Sequence, residues 1–317
     1  MMKHPAVNVI IPVLNGAGTL RACLGALRIQ TYQGAVMPVV INDGSTDNTS
    51  EAAREFPEVK LLEQENRGRA AARNRGIAGS DAQILAFTDA DCVPQKDWLE
   101  KLVLRLQEHE RRGVVSGSIA LPASSNLWQR LDHQAWAHSI GPEAPAGPTL
   151  FGSTANMALF RAVFNAVGGF DPRLRGSEDS DLAFRIHRGG YENFFEPGAV
   201  VMHDHPRTTL GAFLRQRFNY GRWTIQTVLK HKPLPPYSWM FPNSRVLLAL
   251  LWPCYALLAT AFTVLRNLPR DLSVLWLSPL HLMGRTWEYL GTVAGCGDYQ
   301  RLFGKDAGSR TQGDPRC

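Results

Sequence analysis

Ile84-Leu85-Ala86-Phe87-Thr88-Asp89-Ala90-Asp91-Cys92 is an apolar run of strand length that ends in two carboxylates spaced i, i+2. A strand sends alternate side chains to the same side. If that geometry persists through Ala90, Asp89 and Asp91 converge on one hard cation. Oxygen ligands of this kind suit magnesium or manganese, which bridge protein carboxylates to substrate phosphates. A solvated acidic loop after a strand has the same composition, so the neighbours of the stretch must decide.

Upstream, β and α periods alternate from Val7 to about Leu106. Val7 to Pro12 reads as a buried strand, and Gly16 and Gly18 lead into a helix over Thr19–Gln30. A second strand, Met37 to Asn42, runs into Asp43-Gly44-Ser45-Thr46-Asp47, where Thr46 or Asp47 is placed to cap a helix through Arg54. Val59 to Glu63 gives a third strand, Arg69 to Ala78 a helix and Ile84 to Thr88 the fourth strand. Such alternation implies an α/β fold, a mostly parallel sheet flanked by helices on both faces. Ligands of such sheets sit at the carboxyl ends of the strands. Three unusual loops, Pro12–Gly18, Asn42–Asp47 and Asp89–Pro94, fall there. Asp43 is placed to accept hydrogen bonds from a base or ribose, although an aspartate before glycine is also an ordinary turn choice. No Gly-x-Gly-x-x-Gly and no Gly-Lys-Ser/Thr loop is present. A dehydrogenase or ATPase is disfavoured, which leaves metal-assisted handling of a diphosphate.

Downstream, Gly168-Gly169-Phe170-Asp171 reads as a turn, and Ser177-Glu178-Asp179-Ser180-Asp181-Leu182 opens a helix that Gly189-Gly190 ends. Ser177 is a candidate N-cap, with Glu178 and Asp179 in the first turn where negative charge is favoured. Gly198 to His203 is a short strand ending in a candidate third metal ligand, for which His205 competes.

The chain has 317 residues, 44% of them apolar and 20% charged, which suits a folded protein of one large domain or two modest ones. Its net charge of +6 favours an anionic partner. No nucleic-acid-binding signature accompanies that charge, so nucleic acid is set aside in favour of nucleotide phosphates or a membrane surface. Cys23, Cys92, Cys254, Cys296 and Cys317 are odd in number and scattered, against a disulfide framework or zinc site. The apolar run Val7–Leu14 is too short for a signal peptide, so the catalytic part is expected in the cytoplasm.

Taken in order, these segments resemble the inverting family-two glycosyltransferases of GT-A fold. The resemblance covers roughly Val7 to Gly221 and includes Val9 to Gly16, Asn42 to Asp47, Asn66-Arg67-Gly68 with Ala72-Arg73-Asn74, and Thr88 to Asp91. It continues through Gly168 to Asp171, Glu178 to Leu182 with Arg185, and Val201-Met202-His203. It implies a nucleotide-sugar donor held by Pro12, Asn15, Asp43, Arg73, Asp89 and Asp91. It also implies a divalent metal, Mg or Mn, at Asp91, Asp89 and His203, and Asp179 as the general base. Glu178, Arg215 and Arg222 would lie on the side of a glycan or lipid-linked acceptor. Asn42 stands where the family often has aspartate. Related processive synthases carry Gln-x-x-Arg-Trp where this chain has Gln216 to Tyr220, which favours transfer of one sugar. A nucleotidyltransferase would want Arg and Lys in the Asn15–Gly18 loop. A silent scaffold would not need Asp89, Asp91 and Asp179 together.

The expected organisation is a GT-A catalytic domain over 1–209, a basic amphipathic helix and linker over 210–235, a hydrophobic membrane-associated helical region over 236–304, and a disordered tail over 305–317. Val246 to Leu265 carries no charge and is long enough to span a bilayer. Leu272 to Gly284 is interrupted by Pro279, and Trp287 to Ala294 extends it. Arg266 and Arg270 in the connection favour a re-entrant or interfacial hairpin on the cytoplasmic face over a spanning one.

Overall fold

The computed structural model describes residues 4–135, 140–231, 245–268 and 272–307. It divides into two units, Met1–Ser124 with Ser139–His205, and Ser125–His138 with Pro206–Cys317.

The first unit is built on a nine-stranded sheet. The strands are β1 (Val7–Val13), β2 (Val36–Asn42), β3 (Lys60–Glu63), β4 (Ile84–Thr88), β5 (Cys92–Pro94), β6 (Arg112–Ala120), β7 (Gly147–Pro148), β8 (Asn156–Phe160) and β9 (Glu192–His203). They run in the order β3-β2-β1-β4-β8-β6-β9-β5, with β7 on β9. The helices of this unit are α1 (Ala17–Arg28), α2 (Thr49–Arg54), α3 (Arg69–Ala78), α4 (Trp98–Gln107), α6 (Arg161–Val167) and α7 (Glu178–Arg188). Side chains alternate across the sheet. Val9, Ile11, Ile84 and Ala86 pack on one face with Leu20, Leu24, Trp98 and Leu102. Ile10, Leu85 and Phe87 pack on the other with Ile77 and Leu182. Burial on both faces explains the near-continuous apolar strands.

The sheet is parallel over the four strands read from the sequence and mixed beyond them. β1, β2, β3 and β4 are parallel, but β8 runs antiparallel to both β4 and β6, and β5 antiparallel to β9. Only β6 with β9 adds a further parallel pair. Cys92–Pro94, read as loop, is a strand because it pairs with Val201–His203. β9 begins at Glu192, six residues before the expected strand. α2 is not capped by Thr46 or Asp47. Asn48 is its N-cap, without a side-chain hydrogen bond, while Asp47 accepts from the backbone of Ala17 and Thr49. Ser177 does not cap α7 through its side chain either. It sits at φ 57°, in the left-handed region.

The second unit is helical: α5 (Leu127–Gln134), α8 (Leu210–Lys230), α9 (Arg245–Asn267) and α10 (Ser273–Ala307). Residues 125–138, expected within the catalytic domain, group with these helices. α5 starts with a capping box in which Asn126 and Gln129 exchange side-chain and backbone bonds. α8 and α10 approach at backbone distance, because a methyl on Gly221 would overlap the Glu288 carbonyl and one on Gly291 the Phe218 carbonyl. α10 is continuous through Pro279 and runs to Ala307, past the expected start of the tail at Lys305. Residues 308–317 lie outside the described ones. Among the described residues, no helix is long and apolar enough to cross a membrane.

Candidate functional site

The loops at the carboxyl ends of β1, β2 and β4 are fastened to one another by side chains. Asn15, at φ 53°, donates its backbone N–H to Ser45 Oγ at 2.9 Å, and its Oδ1 accepts from the Thr46 N–H at 2.8 Å. Pro12 faces this end of β1, in register with Ile41. Asp43 is buried, and its carboxylate accepts from Gln64 Nε2 at 2.7 Å and from the Arg67 and Gly68 amides, each at 2.9 Å. A carboxylate offers about four acceptor positions. Asp43 therefore spends most of its capacity holding the 64–68 loop, a role not expected from the sequence. Gly44 makes that packing possible: it lies at φ 82°, and a Cβ there would meet the Asn66 amide nitrogen at 2.8 Å.

Arg73 is the organising residue. It projects from α3, is 1% exposed, and reaches two carboxylates from different elements. One guanidinium nitrogen donates to Asp89 Oδ1 at 2.8 Å, at the end of β4, and another to Glu178 Oε1 at 2.6 Å, at the start of α7. Arg69, one helical turn earlier, lies 3.7 Å from the same Glu178 oxygen. Asn74 bonds the backbone of Phe170 in both directions, at 2.8 and 3.1 Å. Phe170 in turn lies edge-on to Phe87 and 5.9 Å beneath the Arg73 guanidinium. The Asn66–Asn74 and Gly168–Asp171 segments, far apart in sequence, thus form one support. Asp181 pairs with Arg185 at 2.9 Å, and Arg185 also donates to the Val167 carbonyl at 2.6 Å, fixing α7 to that turn.

Asp179 follows Glu178 on α7 and is partly exposed. Its carboxyl is pushed up to about 6, by burial first and by the Glu178 charge second. The Ser180 amide, Arg73 and Arg69 pull the other way. Glu178 itself is buried, and its second oxygen, Oε2, has no hydrogen-bond partner.

Asp91 and His203 meet across the β5–β9 pairing, with Nε2 to Oδ1 at 3.3 Å. Asp91, Cys92 and His203 present ligand atoms within 4.8 Å of one another. The Cys92 thiol is buried and pushed well above its usual value, chiefly by that burial, so it stays neutral. A carboxylate and an imidazole remain, a donor set that fits a divalent ion such as manganese. Asp89, expected beside them as a ligand, is instead tied to Arg73. His205 is buried and stacks edge-on against His203, with ring centroids 5.4 Å apart.

The acceptor-side arginines belong to the helical unit. Arg222 pairs with Asp298, and Arg215 is exposed. Arg217 is buried with Glu288 and with Asp132 at 3.6 Å. Further along the same helix stands Arg222-Trp223. An Arg-Trp pair therefore does stand in this helix, with Asn219 three residues before the arginine.

Residues 8–168 match the family model for glycosyl transferase family 2. Glycosyltransferase AglE of Haloferax volcanii is 34% identical over 235 residues, 70% of this chain and 74% of that protein. The pre-mycofactocin glycosyltransferase of Mycobacterium tuberculosis is 28% identical over 72% of this chain, which spans about half (49%) of that relative. Among solved structures, the mannosyltransferase PcManGT of Pyrobaculum calidifontis, in complex with GDP-Man and Mn2+, superposes with a TM-score of 0.63 at 22% identity, over 98% of this chain and 89% of that one. This last likeness establishes the GT-A-like fold. With the family model covering half of its length and AglE 34% identical over 70% of it, this chain belongs to glycosyl transferase family 2.

Proposed function

We propose that this glycosyltransferase moves one sugar from a nucleotide-diphosphate sugar to a hydroxyl of a glycan or lipid-linked acceptor, with inversion, at the cytoplasmic face of the membrane. One observation carries the reading. A single buried guanidinium joins the carboxylate at the end of β4 to the one beside Asp179, so the donor and acceptor sides share one fixed frame.

Asp179, deprotonated above about pH 6, accepts the proton of the acceptor hydroxyl. The hydroxyl oxygen bonds to the anomeric carbon from the face opposite the diphosphate as the bond to the leaving group breaks. Glu178 keeps Asp179 basic enough for this transfer, and Arg73 keeps both acids in place. On the donor side, the loop that Asp43 shapes with Asn15 would receive the nucleoside. Asp91 and His203 would hold the divalent ion. When bound, such an ion neutralises charge on the leaving diphosphate.

Two measurements test this. Thermal-shift screening of nucleoside diphosphates and sugar nucleotides with manganese identifies the donor. Proton NMR of the first product formed then reads its anomeric configuration. Inversion is expected, and retention would contradict the single-displacement chemistry.

A further inference from the structure

Beside a small apolar cluster of Ile225, Val228, Tyr289 and Cys296, the helical unit buries an unusual number of polar groups. On α9, the buried positions at helical spacing are Ala256, Thr260, Thr263 and Asn267, three of the four polar. On α10, His281, Arg285, Glu288 and Thr292 are buried. These polar groups satisfy one another. Arg285 donates to Glu288 at 2.9 Å and to Thr263 Oγ1 at 2.9 Å, Asn267 donates to the Gln134 carbonyl at 3.1 Å, and His281 meets Gln134 Oε1 at 2.8 Å.

The opposite face is apolar and open. Leu257, Leu258, Phe262 and Leu265 are exposed on α9, and Leu272, Leu275 and Trp276 are exposed at and just before the start of α10. Leu258, Leu265, Leu272 and Trp276 are 71, 69, 70 and 87% exposed. Single exposed leucines need no explanation, but a concentration of this kind marks a contact surface.

Charge indicates what covers it. Between residues 205 and 270 the chain has nine Lys or Arg and no Asp or Glu; Arg207, Arg217 and Arg222 pair with acids of the same unit, while Arg215 and Arg266 are exposed. Arg266 lies beside these apolar residues, its guanidinium 5.1 Å over the Phe262 ring. A protein partner would meet them with any balance of charge, whereas an anionic bilayer offers hydrocarbon beneath a uniformly negative headgroup layer. Leucine and phenylalanine below, with tryptophan and arginine at the boundary, match that profile.

We infer that Leu257, Leu258, Phe262, Leu265, Leu272, Leu275 and Trp276 seat the helical unit in an anionic membrane surface, with Arg266 at the headgroups. This rests on the membrane side of the proposed function and is independent of its sugar chemistry.

The test is co-sedimentation of the full-length chain with vesicles of phosphatidylcholine, with and without phosphatidylglycerol. The wild type should bind the anionic vesicles more tightly. Leu258→Glu with Leu265→Glu should weaken that binding roughly tenfold or more, given the CH2 groups withdrawn from lipid. Manganese-dependent thermal shifts by nucleoside diphosphates should persist in the variant. If the glutamate pair melts below the wild type, Trp276→Ser decides, because a side chain this exposed leaves the core untouched. Wild-type chain left in the supernatant would overturn the inference, as would variants that bind like the wild type. So would glutamate variants that only convert a dimer to a monomer in sedimentation velocity, which would assign the face to a second copy.

Discussion

At the scale of single residues, the site turns on how one cation is shared among three acids. Asp179 ionises late because burial and Glu178 oppose its charge, and Arg73 and Arg69 only partly offset them. If Asp179 takes the acceptor proton, kcat/KM rises with pH through about 6 and is level above it. The same shift has a stability sign. A folded-state value above the ordinary 3.8 favours the protonated carboxyl, so that contribution is full below 3.8 and lost as pH rises through about 6. Asp179→Asn should therefore melt above the wild type at pH 8 and with it at pH 3.5, as differential scanning fluorimetry would show. Arg73→Met strands two carboxylates, one of them buried, and should cost about 3–5 kcal/mol in urea unfolding. Asp91→Ala should weaken manganese-dependent donor binding by at least about tenfold, about 1.4 kcal/mol, in titration calorimetry. Unchanged affinity would remove the metal role from Asp91.

At the scale of elements, what was legible in the sequence followed periodicity. β1, β2 and β4 alternate residues between two buried faces, and their terminal Asp, Asn and Gly residues mark the ligand edge. Loop and cap details were not legible, because several groups compete for the same amide. Asp47 looks like a cap but is recruited by Ala17, and Ser177 looks like a cap but sits in a left-handed conformation. Asp43 looked like a ligand contact, yet three donors from the 64–68 segment occupy its oxygens. The Arg73 clamp carried a weak signal, since Arg69 and Arg73 are spaced i, i+4 on one face of α3. Their partners, though, lie sixteen and about a hundred residues away. β8 runs against both β4 and β6 through long-range pairing that no local pattern reports. In the helical unit, Gly221 and Gly291 let α8 and α10 touch at the backbone. Gly291→Val should cost about 3 kcal/mol or more, since overlap with backbone has no rotamer escape, and chemical denaturation would measure it.

At the scale of the whole molecule, the two units show two different burial patterns. The sheet unit buries valine, isoleucine and leucine on both faces. The helical unit has a smaller apolar cluster, buries hydrogen-bonded ions beside it and leaves several leucines and a tryptophan exposed. Apolar composition alone does not separate these cases, which is why the sequence pointed to a membrane hairpin without indicating which side chains are exposed. The metal expectation also belongs at this scale. Chelation of a purified sample should lower nucleoside-diphosphate affinity about tenfold or more, a loss of about 1.4 kcal/mol or more, and manganese should restore it.

The central claim is that Asp179 removes the acceptor proton above a donor held at the ends of β1, β2 and β4. Its most direct test compares Asp179→Asn with the wild type in two assays on one preparation: calorimetric binding of the sugar nucleotide with manganese, and single-turnover transfer. Binding should stay within about twofold while transfer falls by roughly 10²- to 10⁴-fold, the usual contribution of a positioned base. Turnover near that of the wild type would contradict the assignment.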